Sequence, residues 1–320
     1  MGASLRAAPS SVPLVTMGAP LGAAPSSAPN PPRSSPAPRE VSLASPASAP
    51  PPERRAGDFL APVLFRMIGA VRAAAARVGE HGGGDSDPRA VHDLRVALRR
   101  LRTMLRPARE LYGDRRLRSL GAELGSFARA AGALRDEEAL RDTLTALDLP
   151  AEAGAELGAW LAQRASQERP KLTAPSLGPT LAALERHLGR RPRRRPAVAI
   201  AEAALAEAAA GVASLRSGDP ADPLAMHALR LRYKRLRYTA QLFAPVVGEA
   251  AAAVAREAAR MQKRLGELHD LDEAQAGTAH APELSDATRA AVSLALVGLR
   301  AAAVERFQRA SQDPLRGPPG

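Results

Sequence analysis

DPRAVHDLRVALRRLR, residues 87–102, returns as DPLAMHALRLRYKRLR, residues 222–237, with nine of sixteen positions identical and no gap. The shared skeleton is His-x-Leu-Arg-x-x-x-basic-basic-Leu-Arg. In each copy Asp-Pro reads as an N-cap followed by proline at the first helical position. An α-helix turns about 100° per residue, so positions i, i+3, i+7, i+10 and i+14 share one side. Those positions are His92, Arg95, Arg99, Arg102 and Arg106 in the first copy, and His227, Arg230, Lys234, Arg237 and Gln241 in the second. The adjoining apolar side is Val91, Leu94, Leu98, Leu101 and Leu105, answered by Met226, Leu229, Tyr233, Leu236 and Ala240. Each helix therefore buries one face and offers a cationic edge beside it. The repeat implies a duplicated fold whose duplicated feature is an array of positive charge.

Composition agrees with a helical chain. Of 320 residues 45% are apolar, much of that alanine, while aromatics are only 3%. Alanine and leucine without β-branched or aromatic runs favour helix over strand. Lys plus Arg number 45 against 33 acids, a formal charge of +12, and only Lys171, Lys234 and Lys263 are lysines. Such a surplus points to a polyanionic partner: nucleic acid, an acidic membrane or an inorganic polymer. The absence of cysteine excludes disulfides, thiolate metal sites and a cysteine nucleophile. The sequence reading finds no segment apolar for long enough to span a bilayer and no signal-peptide core, since Pro13 and Pro20 interrupt the one candidate. The expected compartment is the cytoplasm.

Residues 1–55 are rich in Pro, Ala and Ser without hydrophobic periodicity, so a disordered tail is expected there. Their proline density argues against the amphipathic helix of a transit peptide, and Met17 offers a second candidate start. A helix is expected over residues 58–78, closed by Gly79 and the Gly82-Gly83-Gly84 loop. The first repeat helix then runs to Tyr112, a third helix covers 115–147, and a less regular fourth region, 151–189, is broken by Pro170, Pro175 and Pro179. The arginine- and proline-rich residues 190–196 read as a linker. The order then restarts: a helix over 197–216, the second repeat helix to about 245, a third to about 277 and a last over 285–309. Gly132-Ala133-Leu134-Arg135-Asp136 matches Gly266-Glu267-Leu268-His269-Asp270 at an offset of 134, against 135 for the histidines, so a single gap reconciles both. The fold class expected is all-α: two pseudo-symmetric four-helix bundles from an internal duplication, repeat one at 56–189 and repeat two at 196–312.

A charged helix face is ordinarily just solvated. Here the pattern occurs twice, and its charges have little local compensation: Asp93 is the only acid between residues 88 and 106, and residues 224–241 contain none. Like charges at i,i+4, such as Arg95 with Arg99 or Arg230 with Lys234, cost a few tenths of a kcal/mol each. Arg95 and Arg230 also lie in early turns, where the helix dipole favours anions. Arg100 and Arg235 sit off the stripe as secondary contacts. The third helices add Arg129 and Lys263, equivalent at the 134 offset, with Arg256 and Arg260 extending the face of Lys263. His92 and His227, with a reference pKa of about 6.5, would gain a proton readily beside phosphates. His81, His187 and His280 look incidental, and His269 holds the place of Arg135.

Signals for catalysis are thin. The chain has no Gly-rich phosphate loop, no GxSxG, no HExxH and no carboxylates spaced for Mg²⁺. Asp136, Asp270, Glu137, Glu138, Asp272 and Glu273 recur between the halves and read as groups that cap or brace the bundle.

The paired stripe, together with turns such as Leu265-Gly266-Glu267-Leu268-His269-Asp270, resembles the CHAD domain, the conserved-histidine α-helical domain, over about residues 56–312. In the first copy the turn is degraded to Ala131-Gly132-Ala133-Leu134-Arg135-Asp136. The resemblance implies two four-helix bundles related by pseudo-twofold symmetry, with a basic channel that binds inorganic polyphosphate. Carried onto this chain, that role falls on His92, Arg95, Arg99 and Arg102, on His227, Arg230, Lys234 and Arg237, and on Arg129 and Lys263; Arg106 joins them as the end of the stripe. Many relatives carry a triphosphate-tunnel catalytic domain with an ExExK motif, which is absent here. The expectation is a stand-alone binding module with no enzymatic activity, no cofactor and no metal, associated with polyphosphate granules or the enzymes that act on the polymer. The first rival is a nucleic-acid-binding protein, for which only Tyr112, Tyr233 and Tyr238 offer rings near the basic helices. A granule-coating interaction protein and a phosphoester enzyme are further rivals.

Overall fold

The computed structural model describes residues 54–80, 88–166 and 177–312, with side chains 79–80, 88 and 130–136 left aside. The tail expected over 1–55 therefore lies outside the described residues up to residue 53, as do the triple-glycine loop, Asp87, Pro170 and Pro175. Among the described residues the chain is all-α: α1 (Ala56–Glu80), α2 (Pro88–Tyr112), α3 (Asp114–Thr145), α4 (Ala151–Ser166), α5 (Leu177–Leu188), α6 (Ala197–Ala213), α7 (Pro223–Val247), α8 (Glu249–Ala279) and α9 (Asp286–Gln312).

The repeat helices α2 and α7 have bounds 135 positions apart at both ends. At the start of α7 the Asp222 carboxylate accepts from the Leu224 N–H at 2.8 Å, with Pro223 in the first turn. Gly113 and Gly248 end the two helices with φ of 96° and 85°, a region costly for any side chain, and the next helix starts immediately. The apolar positions read from the sequence, Val91 to Leu105 on α2 and Met226 to Ala240 on α7, are all buried. Each buried large apolar side chain contributes roughly 1.5–3 kcal/mol, so each seam outweighs the like-charge costs along its stripe.

The packing does not divide at the middle of the sequence. One core gathers α1, α2, the first turns of α3 and α5, together with Ile200 of α6 and Tyr238, Leu242, Phe243 and Val246 of α7. A second gathers Ala208 and Val212 of α6, Met226, Leu229, Tyr233 and Leu236 of α7, and the facing residues of α8 and α9. Both α6 and α7 thus run from one core into the other. A third cluster joins Leu140 and Leu144 of α3 and Leu157, Trp160 and Leu161 of α4 to Ala274, Val292 and Leu296 of α8 and α9. The irregular fourth region resolves into two helices with different partners, α5 on α1 and α3, and α4 on α9. Glu156 of α4 caps α9, accepting from the Ser285 N–H at 2.5 Å and its hydroxyl at 2.7 Å, and from Thr288.

Residues 190–196 are more than a linker. The Ala56 N–H donates to the Arg195 carbonyl and the Ala197 N–H to the Arg54 carbonyl, each at 2.8 Å. Pro192 lies so close that a Cβ on Gly57 would stand 2.4 Å from its ring. Two helices bear on the expectation of no bilayer-spanning segment. Residues Ala56–Val78 of α1, and α9, are long and apolar enough to cross a membrane by length and composition alone. Each sends some large side chains into the cores, Leu64 and Ile68 from α1 and Val292 and Phe307 from α9, while Phe65, Leu294, Val297 and Leu299 are exposed.

Candidate anion-binding site

Lys234 is the centre of the cationic region. It lies on α7 between the side chains feeding the two cores and is only 8% exposed. Burial, and then the charges of Arg99, Arg230, Arg95 and Arg237, pull its amine down from 10.5 to about 6. The two arginines of α2 and the two of α7 therefore converge on one amine. Arg95, Arg99, Arg230 and Arg237 remain accessible in part. Arg237 also lies over the Tyr238 ring, 5.2 Å from its centroid, and Arg100 of α2 lies 5.9 Å from the same ring. The Arg237 Nε is buried with no hydrogen-bond partner among the described residues.

Next to this group two imidazoles meet. His227 Nδ1 and His269 Nδ1 are 3.2 Å apart, with ring centroids 4.5 Å apart at 54°. One nitrogen must donate and the other accept, so the contact disfavours double protonation. Burial first, then Arg230, His227 and Lys234, lower His269 to about 4. His227 is also lowered, by burial and by Arg230 and Lys234, against an opposing pull from Glu273. The Glu273 carboxylate reaches to 3.9 Å from His269 Nδ1. His269 is thus part of the cluster, beyond its expected role as the counterpart of Arg135. His269 sits one turn beyond Leu265, a fully buried residue, and three beyond Gly266, over which the Arg230 side chain passes at 3.8 Å from a would-be Cβ.

The remaining candidates fall in different places. Arg102 donates from Nε to the Gly121 carbonyl at 3.1 Å and crosses α3 at Gly125, where a Cβ would be 2.8 Å from its guanidinium. Burial, Arg129 and Arg99 act on Arg102, so Arg129, itself exposed, extends the cluster along α3. His92 is half-buried one turn before Arg95. Lys263 is exposed on α8 and is not among the cations acting on Lys234, His227 or His269. Arg106, the end of the stripe, lies against a different set of groups. Its neighbours are Arg235, Glu207, Arg109 and Arg232, because the crossing of α2 with α6 and α7 turns the last helical turns toward α6.

Two of the acids expected to brace the bundle do so: Asp272 accepts from Arg300 at 2.6 Å, and Glu137 pairs with Arg164, whereas Glu273 joins the histidine pair. Asp136 lies outside the described side chains. Among the described residues no three His, Cys, Asp or Glu side chains gather as a metal would require. The arrangement concentrates guanidinium forks, a protonatable amine and two imidazoles around a small region, which suits a multivalent oxyanion.

The family model of the CHAD domain matches residues 69–277. Two solved structures share the fold. The CHAD domain from the plant Ricinus communis superposes with a TM-score of 0.64 at 18% identity, covering 84% of this chain and 95% of that one. PptA from Streptomyces chartreusis gives a TM-score of 0.56 at 21% identity, covering 81% and 100%. Curated protein sequences yield no match.

Proposed function

The chain belongs to the CHAD domain family, a family associated with polyphosphate, and from that premise we propose that it binds inorganic polyphosphate without transforming it. The observation that supports this reading is Lys234, a nearly buried amine with arginines from both repeat helices around it. A fold that merely carried surface charge would have no reason to bury a lysine among four guanidinium groups. A phosphate chain relieves that repulsion: arginine forks grip its oxygens, the amine regains its proton, and condensed counterions are released. The bound polymer would be read by Arg95, Arg99, Arg102 and Arg129 from one side, and by Arg230, Lys234, Arg237, His227 and His269 from the other.

The nucleic-acid reading loses support at the aromatics. Tyr233 and Tyr238 are buried, and two arginines cover the Tyr238 ring, so neither presents a face on which a base could stack. A binding module of this kind would act in the cytoplasm, bringing itself or enzymes of polyphosphate metabolism to the polymer. The test is a competition at fixed salt between long-chain polyphosphate and duplex or single-stranded DNA. Polyphosphate is expected to displace both; equal competition by DNA at matched phosphate concentration would replace this reading with the nucleic-acid one.

A further inference from the structure

Arg106 and its neighbours form a second cationic group. The cations acting on Arg106 are Arg235, Arg109 and Arg232, none of which is among those acting on Lys234. Glu207 of α6 stands among them, with Oε1 2.7 Å from Arg235 Nη2 and 3.8 Å from Arg106 Nη2. Arg109 also acts on it. The Arg235 side chain is only 14% exposed, whereas Glu207 is 59% exposed. A solvent-facing carboxylate thus covers a deeper guanidinium. Arg109 keeps a buried Nε without a hydrogen-bond partner among the described residues, and its other acid, Asp114, is 3.6 Å away and shared with Arg118.

An ordinary surface ion pair sets one cation against one anion and shifts an equilibrium by about fivefold at most. Here Arg106 and Arg235, from α2 and α7, face one carboxylate from a third helix, and Arg109 is divided between it and Asp114, which Arg118 also holds. The carboxylate carries one charge on two oxygens, and a phosphate group in a chain offers comparable charge with neighbours that continue it. Arg99, Arg102 and Arg106 follow one another along α2, and at 1.5 Å per residue the first and last are about 10 Å apart. An extended polyanion can reach from the Lys234 group to this one, while a single phosphate cannot.

We infer that Arg106, Arg109 and Arg235 form a second phosphate-binding point, and that Glu207 occupies it as a resident carboxylate which a polyphosphate chain displaces. This rests on the polyphosphate reading above and adds a length requirement to it, since only a chain spanning both groups gains from displacing Glu207. Neutralising Glu207 therefore favours long chains.

The experiment is titration of the full-length protein with long-chain polyphosphate and with inorganic triphosphate, at fixed ionic strength and near-neutral pH. Glu207→Gln and Glu207→Ala are compared with wild type and with Glu202→Gln, which removes the same charge from an exposed position of α6. Both Glu207 variants are expected to bind long-chain polyphosphate about fivefold more tightly, the size of one released ion pair, with a steeper salt dependence. Glu202→Gln should stay within about twofold of wild type, and adding Arg106→Gln and Arg235→Gln to Glu207→Gln should abolish the gain. If Glu202→Gln matches Glu207→Gln, net charge alone is at work and the second binding point is overturned while polyphosphate binding stands. Weaker binding by the Glu207 variants overturns it too, because the carboxylate would then be positioning the arginines rather than occupying their site. Loss of polyphosphate binding by every protein, wild type included, overturns both readings.

Discussion

Arg99 and Lys234 occupy the same position of the repeated segment, yet α2 and α7 use it differently. Arg99 is half-buried at the edge of α2, whereas Lys234 is sunk between two cores. A guanidinium does not surrender its proton in proteins, but an ammonium does so readily when it is desolvated. The first repeat therefore supplies fixed charge and the second supplies titratable charge, with Lys234, His227 and His269 all drawn below their ordinary range. The difference follows from packing. α2 serves one core, while α7 passes through both and must bury more of its circumference.

The largest expected effect probes that double service. Phe243 belongs to the second repeat but lies fully buried in the first core, stacked 5.9 Å from Phe59. Phe243→Ala should destabilise the protein by about 3–5 kcal/mol, and hydrogen exchange should accelerate in α1 and α2 before α8 and α9. Uniform acceleration would mean that the cores open as one unit and that the contrast between the helices has no energetic content.

Charge reversal tests whether both helices read the polymer. Arg95→Glu with Arg230→Glu should weaken polyphosphate binding by roughly 100-fold or more at moderate salt. The same reversal at exposed Arg66 and Arg186 should cost far less, with helicity intact by circular dichroism in both. Arg72 and Arg300 would be poor controls, since each is tied to an acid, Glu185 and Asp272. Equal losses from the two pairs would reduce the site to diffuse attraction.

Titration sharpens the comparison further. In the free protein the Lys234 amine is largely neutral above about pH 6. Bound phosphate favours the ammonium, so binding takes up a proton and affinity rises as pH falls from about 8 toward 6. Lys234→Arg should flatten that slope and remove the proton uptake seen by calorimetry in buffers of different ionisation enthalpy. The sign for stability is opposite. The unfolded lysine, at 10.5, holds its proton across a range in which the folded one, at about 6, has lost it. Stability of the unliganded protein is therefore expected to rise with pH between those values, and Lys234→Met should remove the slope. A melting temperature independent of pH in wild type over that window would contradict the buried amine.

The smallest effect belongs to the imidazole pair. His227→Gln with His269→Gln should reduce the pH dependence remaining on the acid side, between about 4 and 6.5, while leaving most of the salt dependence to the arginines. His92→Gln alone should change the profile less, because the contact at 3.2 Å is made by His227 and His269. An equal effect from His92 would restore the symmetry that the sequence suggests.

Much of this was legible before any coordinates. Periodicity, the Asp-Pro starts and the stop before Gly113 place α2 and α7 to within a residue or two, since those signals are local. What escaped is tertiary. His269 lies 42 positions from His227, and no pattern along the chain pairs them. Arg106 falls on the stripe by helical angle, but the stripe looks toward Lys234 of α7 over its first turns and toward Glu207 of α6 over its last. Lys234 has the same angular place as Arg99, so its burial depends on which helix crosses two cores. The alanine-rich faces of α6 and α8 give no hint of that, because small side chains fit either core.

The reciprocal hydrogen bonds between residues 54–56 and 195–197 have a consequence for synthesis. Domains emerging from the ribosome generally fold as units, N-terminal first. Here α1 starts where the chain must later return, and its core stays incomplete until Tyr238, Leu242, Phe243 and Val246 have been made. A nascent chain holding only the first repeat therefore exposes the seam that α7 will cover. Its arginines are already present at that stage to repel other nascent chains, so the positive charge of α2 also guards the unfinished protein.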